Sequence, residues 1–349
     1  MTKAGLTSKK AASDMHKMVK NLTMLLAMVC CAFSVHALPE IKVGVLKFGT
    51  ANWEIDVIKH HQLDKKYQFD LTILPLGSKN ASAVALQSKA VDVILSDWLW
   101  VNRQRFNDKN YTLFPTSRAT GGLYVSTQLP IKSVLSLKDR KIGVAGGAVD
   151  KNWLLLQAYS QKKYGFDIKQ QSLPTFATPP LLNQLMLRGD LAAAINFWHY
   201  GARLKAAGFQ LLVTVPEILA ELGVESQLPL LGWVFDQQWA AENSLRLSGF
   251  LRASLEAKQI LYSSDDEWKR IRSLTKAEND GVFNALKVNY RAGLLREFGE
   301  KEINASQQIF AVLAQQGGKQ IVGKATSVDQ GTFYQKEDLK ITLLTENIE

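Results

Sequence analysis

The sequence lacks residues on which several classes of protein depend. Only two of the 349 residues are cysteine, and both, Cys30 and Cys31, lie in an apolar N-terminal stretch. From residue 38 onward the chain therefore has no cysteine for a disulfide, a thiolate metal site or a nucleophile. No Gly-x-Ser-x-Gly elbow, Walker loop or His-Glu-x-x-His motif occurs either. These absences argue against the commonest hydrolases, nucleotidases and zinc proteases.

Long hydrophobic runs are also scarce, and the clearest one is N-terminal. Four lysines between positions 9 and 20 precede the uncharged segment 21–35, and Val35-His36-Ala37 follows. This order predicts a secretory signal peptide over residues 1–37, cut after Ala37, and therefore a periplasmic protein. A membrane anchor is the rival interpretation, although the run is short for a span of roughly 20 residues. Lipidation at Cys30 or Cys31 is a further alternative.

A basic block interleaved with aromatic residues is missing as well. The predicted signal holds five of the 42 basic residues and one of the 32 acidic ones, so the rest of the chain carries a net charge of +6. An excess of this size, spread along the chain, is typical of a solvated surface. We therefore expect no nucleic-acid partner.

What the sequence does contain is an alternation of strand-like and helix-like segments. The first series predicts strands at 41–49, 69–77 and 90–97, with helices at 53–67 and 80–89. The second series predicts strands at 141–147, 166–174 and 191–198, with helices at 151–165 and 179–190. Such alternation favours βαβ units and mostly parallel sheets in an α/β fold. After the second series the chain is mainly helical, with apparent capping boxes at 264–267 and 275–278 and a helix at 304–318.

The two series also match residue by residue at an offset of 100. Ala51-Asn52-Trp53 corresponds to Lys151-Asn152-Trp153, and Ser96-Asp97-Trp98 corresponds to Asn196-Phe197-Trp198. We interpret the match as two similar lobes joined by crossing strands at 120–127 and 228–236. The expected division is 38–122 with 228–349 for lobe 1, and 123–227 for lobe 2.

Candidate site residues are those that directly follow strands, because open α/β sheets bind ligands at the carboxyl ends of their strands. We expect them to line an apolar-walled cleft with a few polar anchors, the usual composition of a small-molecule site. The predicted set is Phe48, Thr50, Asn52, Trp53, Ser96, Asp97, Trp98, Gly147, Ala148, Asn152, Asn196 and Trp198.

Several of these residues have an equally good structural interpretation. Trp53 and Trp153 occupy the first turns of amphipathic helices, where packing on the sheet explains them. Asp97 could cap the next helix, contact a ligand, or do both. His60 and His61 are adjacent on a helix, so we expect them to point apart and not to share a metal. We expect no metal and no cofactor.

The segments "IKVGVLKFGTANW", "LQSKAVDVILSDW", "SLKDRKIGVAGG" and "LMLRGDLAAAINFW" resemble periplasmic solute-binding proteins of ABC importers. The resemblance is narrower to the nitrate/sulfonate/taurine type, the SsuA/THI5-like group, and covers residues 41 to about 320. It implies a type-2 binding-protein fold whose lobes close on a solute by hinge motion, and docking on an inner-membrane permease. It also implies a monomer that is not an enzyme.

The ligand class stays open between two options. Facing tryptophans suit a flat organic body such as a thiamine precursor, whereas exposed helix N-termini suit a sulfonate. The alternative function is an enzyme on the same fold, resembling a thiamine-pyrimidine synthase or a menaquinone-pathway lyase.

Overall fold

Two five-stranded sheets with helices on their faces make up the part of the chain that the structure, a computed structural model, describes. That part comprises Met15, Met18 and Lys20, then residues 38–224 and 229–335. Apart from those three residues, the predicted signal peptide lies outside the described residues, as do residues 336–349. From Glu40 onward the described residues form one compact unit.

Sheet 1 has the strand order β2-β1-β3-β10-β4. Its strands are β1 (Glu40–Leu46), β2 (Asp70–Leu76), β3 (Val93–Asp97), β4 (Tyr111–Ser117) and β10 (Leu231–Asp236). β1 pairs in parallel with β2 and β3, and β10 runs antiparallel between β3 and β4. The helices that alternate with the first strands are α1 (Ala51–His60), α2 (Leu63–Lys66), α3 (Lys79–Gln87) and α4 (Trp98–Arg105).

Sheet 2 repeats this arrangement with the order β7-β6-β8-β5-β9. Its strands are β5 (Gly122–Val125), β6 (Lys141–Ala145), β7 (Leu173–Ala177), β8 (Ala193–Asn196) and β9 (Gln210–Thr214). Here β5 is the reversed strand, antiparallel to both β8 and β9. The helices in this part are α5 (Lys151–Tyr164), α6 (Ile168–Gln171), α7 (Pro179–Leu187), α8 (Trp198–Ala206) and α9 (Val215–Glu221). The predicted α/β class, the duplication and both crossing strands are confirmed.

The C-terminal part is helical, as predicted, and packs on both sheets. Its helices are α10 (Gln237–Glu242), α11 (Ser244–Ser263), α12 (Asp265–Arg270), α13 (Arg272–Thr275), α14 (Asp280–Ala292) and α15 (Glu300–Val322). Ile309, Phe310 and Leu313 of α15 join a buried cluster that contains side chains of both sheets. We call sheet 1 with its helices lobe 1, and sheet 2 with its helices lobe 2. Within the described ranges, no helix combines the length and the apolar character needed to cross a membrane.

Three sequence predictions of secondary structure are wrong. Residues 166–174 are not one strand, because Asp167 accepts the N–H groups of Lys169 and Gln170 and starts the short helix α6 before β7. The helix predicted at 53–67 is interrupted at Gln62, whose φ of 51° lies in the left-handed region. Thr275 ends α13, so the capping box at 275–278 does not form, and Asn279 caps α14 through its side chain instead.

Candidate functional site

The two lobes meet through an ion pair at the ends of their strands. Asp97 is the last residue of β3 in lobe 1, and Lys151 is the first residue of α5 in lobe 2. The Lys151 Nζ atom lies 3.0 Å from Asp97 Oδ2, and both side chains are largely buried. The other carboxylate oxygen of Asp97 accepts the N–H of Trp100 and so caps α4. Asp97 therefore both caps a helix, as the sequence suggested, and faces the opposite lobe.

A second cation, Lys79, approaches the same place from the start of α3. Its charge and that of Lys151 repel each other, which together with desolvation lowers the pKa of Lys79. The Lys79 ammonium also lies 5.7 Å from the ring centroid of Phe197, in the loop before α8 of lobe 2. Among the described residues, Lys79 forms no ion pair within 4.0 Å, so it is the less neutralised of the two cations.

The pKa of Asp97 responds to this cluster. Burial alone would raise it, but the charges of Lys151 and Lys79, with the Trp100 N–H, outweigh burial and leave the pKa of Asp97 lowered. The carboxylate is thereby kept ionised between two ammonium groups. Four charged groups thus converge where the two lobes meet. Lobe 1 contributes Lys79 and Asp97, and lobe 2 contributes Lys151 and the neighbouring Asp150.

Asp150 belongs to the turn between β6 and α5. Gly146 and Gly147 there have φ of 87° and 93°, a left-handed conformation that side chains other than glycine rarely adopt. The turn places the Asp150 Oδ1 atom against the N–H groups of Asn152 and Trp153. Burial raises the pKa of Asp150, against the lowering effect of the two lysines. Gly146 and Gly147 hence allow the turn between β6 and α5, and the N-terminus of α5 is already capped by the Asp150 carboxylate.

The tryptophans do not form two facing walls. Trp98 is fully buried and packs against Phe333, with its Nε1–H lacking a partner among the described residues. Trp53 is also buried, and its ring meets that of Trp198 from the other lobe edge-on, at 6.0 Å and 87°. Tyr290 of α14 completes this contact, 5.8 Å from Trp53 and 6.4 Å from Trp198. In this conformation the rings pack on each other and leave no gap for a flat ligand between them.

The three predicted amide side chains differ in what they contact. Asn52 donates to the carbonyls of Leu46 and Gly49, at 2.8 and 2.7 Å, and so shapes the loop after β1. Asn196 is 1% exposed and is fully engaged inside lobe 2. Asn152, by contrast, has a buried Oδ1 atom with no hydrogen-bond partner in the described part of the chain. Of these three side chains, Asn152 alone has a buried polar atom without a partner among the described residues.

The remaining predicted residues lie on the loops and strand ends themselves. Phe48 is 72% exposed, with the Lys276 ammonium 4.9 Å from its ring centroid. Thr50 starts α1 without a side-chain capping bond. Ser96 is half-buried on β3, while Gly147 and Ala148 stand in the β6–α5 turn. The structure thus gathers Asp97 and the 147–152 segment at one place, and it removes Trp98 and Asn196 from solvent.

Sequence reasoning missed the two lysines and Asp150. A signal was present, because Lys79 and Lys151 each stand at the first position of a helix. The helix dipole disfavours a cation there, so a lysine at that position indicates a nearby negative group. The pairing with Asp97 could not be read from the chain, since it joins residues of different lobes.

The three histidines of the described residues lie in two different places. His199 is half-buried, and desolvation together with the charge of Arg203 lowers the pKa of His199 to about 3, so it is neutral at physiological pH. His60 ends α1 and His61 follows it, yet their rings lie 4.9 Å apart in a T-shaped contact. The prediction that they point apart is wrong, because the helix ends at His60 and His61 leaves helical geometry.

Comparisons with known proteins identify the fold. No protein-family model matches the sequence, and no curated protein matches it. The structure is similar to the alkanesulfonate-binding protein SsuA from Xanthomonas axonopodis pv. citri bound to MOPS, with a TM-score of 0.64 and 13% identity, covering 86% of this chain and 100% of that one. It is also similar to the periplasmic aliphatic sulphonate binding protein SsuA from Escherichia coli, with a TM-score of 0.66 and 14% identity, covering 84% of this chain and 97% of that one.

An enzyme has the same fold. The desulfurization enzyme DSZB matches with a TM-score of 0.57 and 12% identity, over 86% of this chain and 97% of that one. At such identities the likeness shows the fold alone. The resemblance expected from the sequence is confirmed at that level: the chain has the two-lobed fold of SsuA-like periplasmic binding proteins.

Proposed function

We propose that this protein is the exported solute-binding component of an ABC uptake system. In this proposal a monomer captures one small organic anion between its lobes and delivers it to a permease in the inner membrane. The fold supports a binding role, and the predicted signal peptide supports export. The observation that carries the ligand class is the pair of ammonium groups, Lys79 and Lys151, of which only Lys151 forms an ion pair, with Asp97, among the described residues. The second carboxylate of the cluster, Asp150, accepts the N–H groups at the start of its own helix.

The charge balance favours an anion over a cation. Asp97 is already paired with Lys151 and hydrogen-bonded to the N–H of Trp100. An incoming cation would have to displace a lysine from it, at the cost of leaving an ammonium group unpaired in a desolvated place. An incoming anion instead gains two cations, and its charge relieves the repulsion that lowers the pKa of Lys79.

The same arrangement favours a sulfonate-like headgroup over a stacked heterocycle. The thiamine-precursor option depends on tryptophan faces, and Trp53 and Trp198 contact each other instead. A compact tetrahedral anion needs only point charges and N–H donors, which Lys79 and Lys151 provide. We expect its organic tail to extend along the loop at Phe48, which is largely exposed.

Release and capture require the lobes to separate. The contacts that must then break include the Lys151–Asp97 ion pair and the hydrogen bonds from Arg203 of α8 to the Thr275 carbonyl (2.9 Å) and the Glu278 carboxylate (3.2 Å). The edge-on contact of Trp198 with Trp53 and its contact with Tyr290 would also have to open in a hinge motion between two preformed lobes. The ion pair would hold the empty protein closed, and the ligand anion would replace Asp97 as the main partner of Lys151.

The test is thermal unfolding of the purified protein with short alkanesulfonates and MOPS, each compared with the carboxylate of equal chain length. A ligand that binds only the native state raises the melting temperature, because a concentration of 100 times the Kd stabilises by about 2.7 kcal/mol. We expect the rise to disappear in Lys79→Ala and Lys151→Ala. As a matched control, Lys89→Ala removes an exposed lysine outside the cluster. A rise that is unchanged in both cluster variants would contradict the proposed ligand class.

Recovery of the ligand distinguishes binding from catalysis. After incubation with excess protein, mass spectrometry should return the sulfonate unchanged. Desulfonated product formed at a rate that scales with protein concentration would overturn the binding role and favour an enzyme on this fold.

A further inference from the structure

A second polar cluster lies at the opposite end of α1 from the cleft. His60, His61 and Glu267 each offer one ligand atom, and these atoms all lie within 4.8 Å of one another. Glu267 belongs to α12 and is 6% exposed, whereas both histidines are exposed. The cluster therefore joins two helices of lobe 1 and is open to solvent on its histidine side.

The geometry of the closest pair fits a metal ion. The His61 Nε2 atom lies 3.2 Å from Glu267 Oε2. A metal placed about 2.1 Å from both atoms would subtend an angle of roughly 100°, close to the tetrahedral value that Zn²⁺ prefers. The third ligand, His60, is exposed at the end of α1, so rotation of its side chain can bring a ring nitrogen into the same shell.

The other oxygen of the carboxylate is already oriented. The Glu267 Oε1 atom accepts hydrogen bonds from Nε and a terminal nitrogen of Arg270, at 3.0 and 2.6 Å. Arg270 is held in turn by Asp56 of α1. A ligating carboxylate whose second oxygen is fixed by a hydrogen bond is the outer-sphere arrangement usual in metal sites. The charges of Asp56 and Arg270 offset each other and leave Glu267 to balance part of the metal charge.

We propose that His60, His61 and Glu267 form a binding site for a divalent transition-metal ion, of which Zn²⁺ is the natural probe. Two imidazoles and one carboxylate are a donor set that suits Zn²⁺, Ni²⁺ and Cu²⁺. Mg²⁺ and Ca²⁺ prefer oxygen ligands, so we expect them to bind weakly to this set. The site is separate from the cleft, because α1 is ten residues long and spans about 15 Å between them. A bound ion would cross-link α1 to α12 within lobe 1.

The experiment is calorimetric titration of the purified protein, prepared without a histidine tag, with ZnCl₂ and separately with MgCl₂. We expect one Zn²⁺ per chain and no Mg²⁺ binding. His60→Ala and His61→Ala should each lower the Zn²⁺ affinity at least about tenfold. Loss of a group that only hydrogen-bonds to a metal ligand already lowers affinity by about 10- to 100-fold, so loss of a ligand should cost no less. Both histidines are exposed, so neither variant is expected to unfold the protein.

Two control variants show whether the loss of Zn²⁺ affinity is specific to the proposed ligands. Asp266→Asn removes an exposed carboxylate beside Glu267 that pairs with Lys269, and it should leave Zn²⁺ affinity unchanged. Lys151→Ala, which alters the cleft, should also leave it unchanged. Absence of saturable Zn²⁺ binding, or equal affinity in wild type and both histidine variants, would overturn the proposal.

Discussion

The ends of β3 and β8 occupy the same position in the two sheets, yet their polar residues make contacts of different kinds. Asp97 at the end of β3 reaches out of lobe 1 to Lys151. Asn196, its counterpart on β8, turns inward: its Nδ2 donates to the Pro179 carbonyl and to Asn183 Oδ1, and its Oδ1 accepts the N–H of Phe197. Equivalent positions in a duplicated fold have thus specialised, one for contact between lobes and one for the interior of a lobe.

The aromatic residues after these strands differ in the opposite sense. Trp98 is fully buried within its own lobe, whereas Trp198 is half-buried and packs on Trp53 and Tyr290 of the other lobe. At these two equivalent strand ends, lobe 1 therefore contributes a charged group, Asp97, to the contact between the lobes, and lobe 2 contributes an aromatic ring, Trp198. The repeat in the sequence predicts the fold well, but it does not predict that paired positions share a role.

The largest expected effect tests the difference between the tryptophans. Trp98→Ala should lower the free energy of unfolding by about 3–5 kcal/mol, because it opens a cavity in the core. Trp198→Ala should cost about half as much, since its side chain is only half-buried. Urea denaturation of both variants measures the difference. Equal losses would show that Trp198 is as much a core residue as Trp98.

The next effect compares the two polar strand ends. Asn196→Ala leaves buried partners unsatisfied, so we expect a loss of about 2–3 kcal/mol in unfolding free energy. Asp97→Ala removes a helix cap worth about 1 kcal/mol and also leaves the Lys151 ammonium without its ion-pair partner, so it should change ligand affinity, which Asn196→Ala should leave unchanged. The two quantities are measured by urea denaturation and by ligand-induced thermal shift. Unchanged ligand affinity in Asp97→Ala, or a loss of affinity in Asn196→Ala, would contradict the assignment of roles.

The smallest effect concerns the two capping aspartates that flank the lysines. The folded protein lowers the pKa of Asp97 and raises that of Asp150. Asp97 therefore contributes stability above its unfolded pKa of about 3.9, and this is lost as the pH falls through the lower folded value. For Asp150 the sign is opposite, because its ionised form is disfavoured by folding and protonation removes that cost.

Replacing each aspartate by asparagine separates these contributions. Between neutral pH and about pH 3, below the unfolded pKa, Asp97→Asn should lose less stability than wild type. Asp150→Asn should lose more over the same range. Unfolding free energies by urea at the two pH values provide the comparison, and a change of the same sign in both variants would refute it.

Much of the fold was predictable because its signals are local. The runs of β-branched residues ending in glycine or aspartate located β1, β3 and β6, and the offset of 100 residues revealed the duplication. The failure at residues 166–174 was also local, since Asp167 followed by Ile168 carries a helix-capping signal that the strand interpretation passed over. Strands β4 and β9, absent from the prediction, are the outer strands beyond the crossing strands.

The site was less predictable because its decisive contacts join distant residues. The capping role of Asp97 at the end of β3 was predicted from the sequence, and the structure confirms it. Its partner Lys151 lies in the other lobe, and the edge-on contact of Trp53 with Trp198 depends on how the lobes meet. No periodicity or spacing within one lobe contains that information.

The position of the crossing strands in the sequence affects the order in which the two sheets can form during synthesis. All five strands of sheet 2 lie between residues 122 and 214, so lobe 2 can complete its sheet from one continuous segment. Sheet 1 instead is complete only after β10 (Leu231–Asp236) has inserted between β3 and β4. Until then lobe 1 exposes two unpaired strand edges, the feature that invites aggregation during synthesis. The N-terminal lobe is hence the last to form its sheet, and a chain truncated before β10 would leave lobe 1 open while lobe 2 is whole.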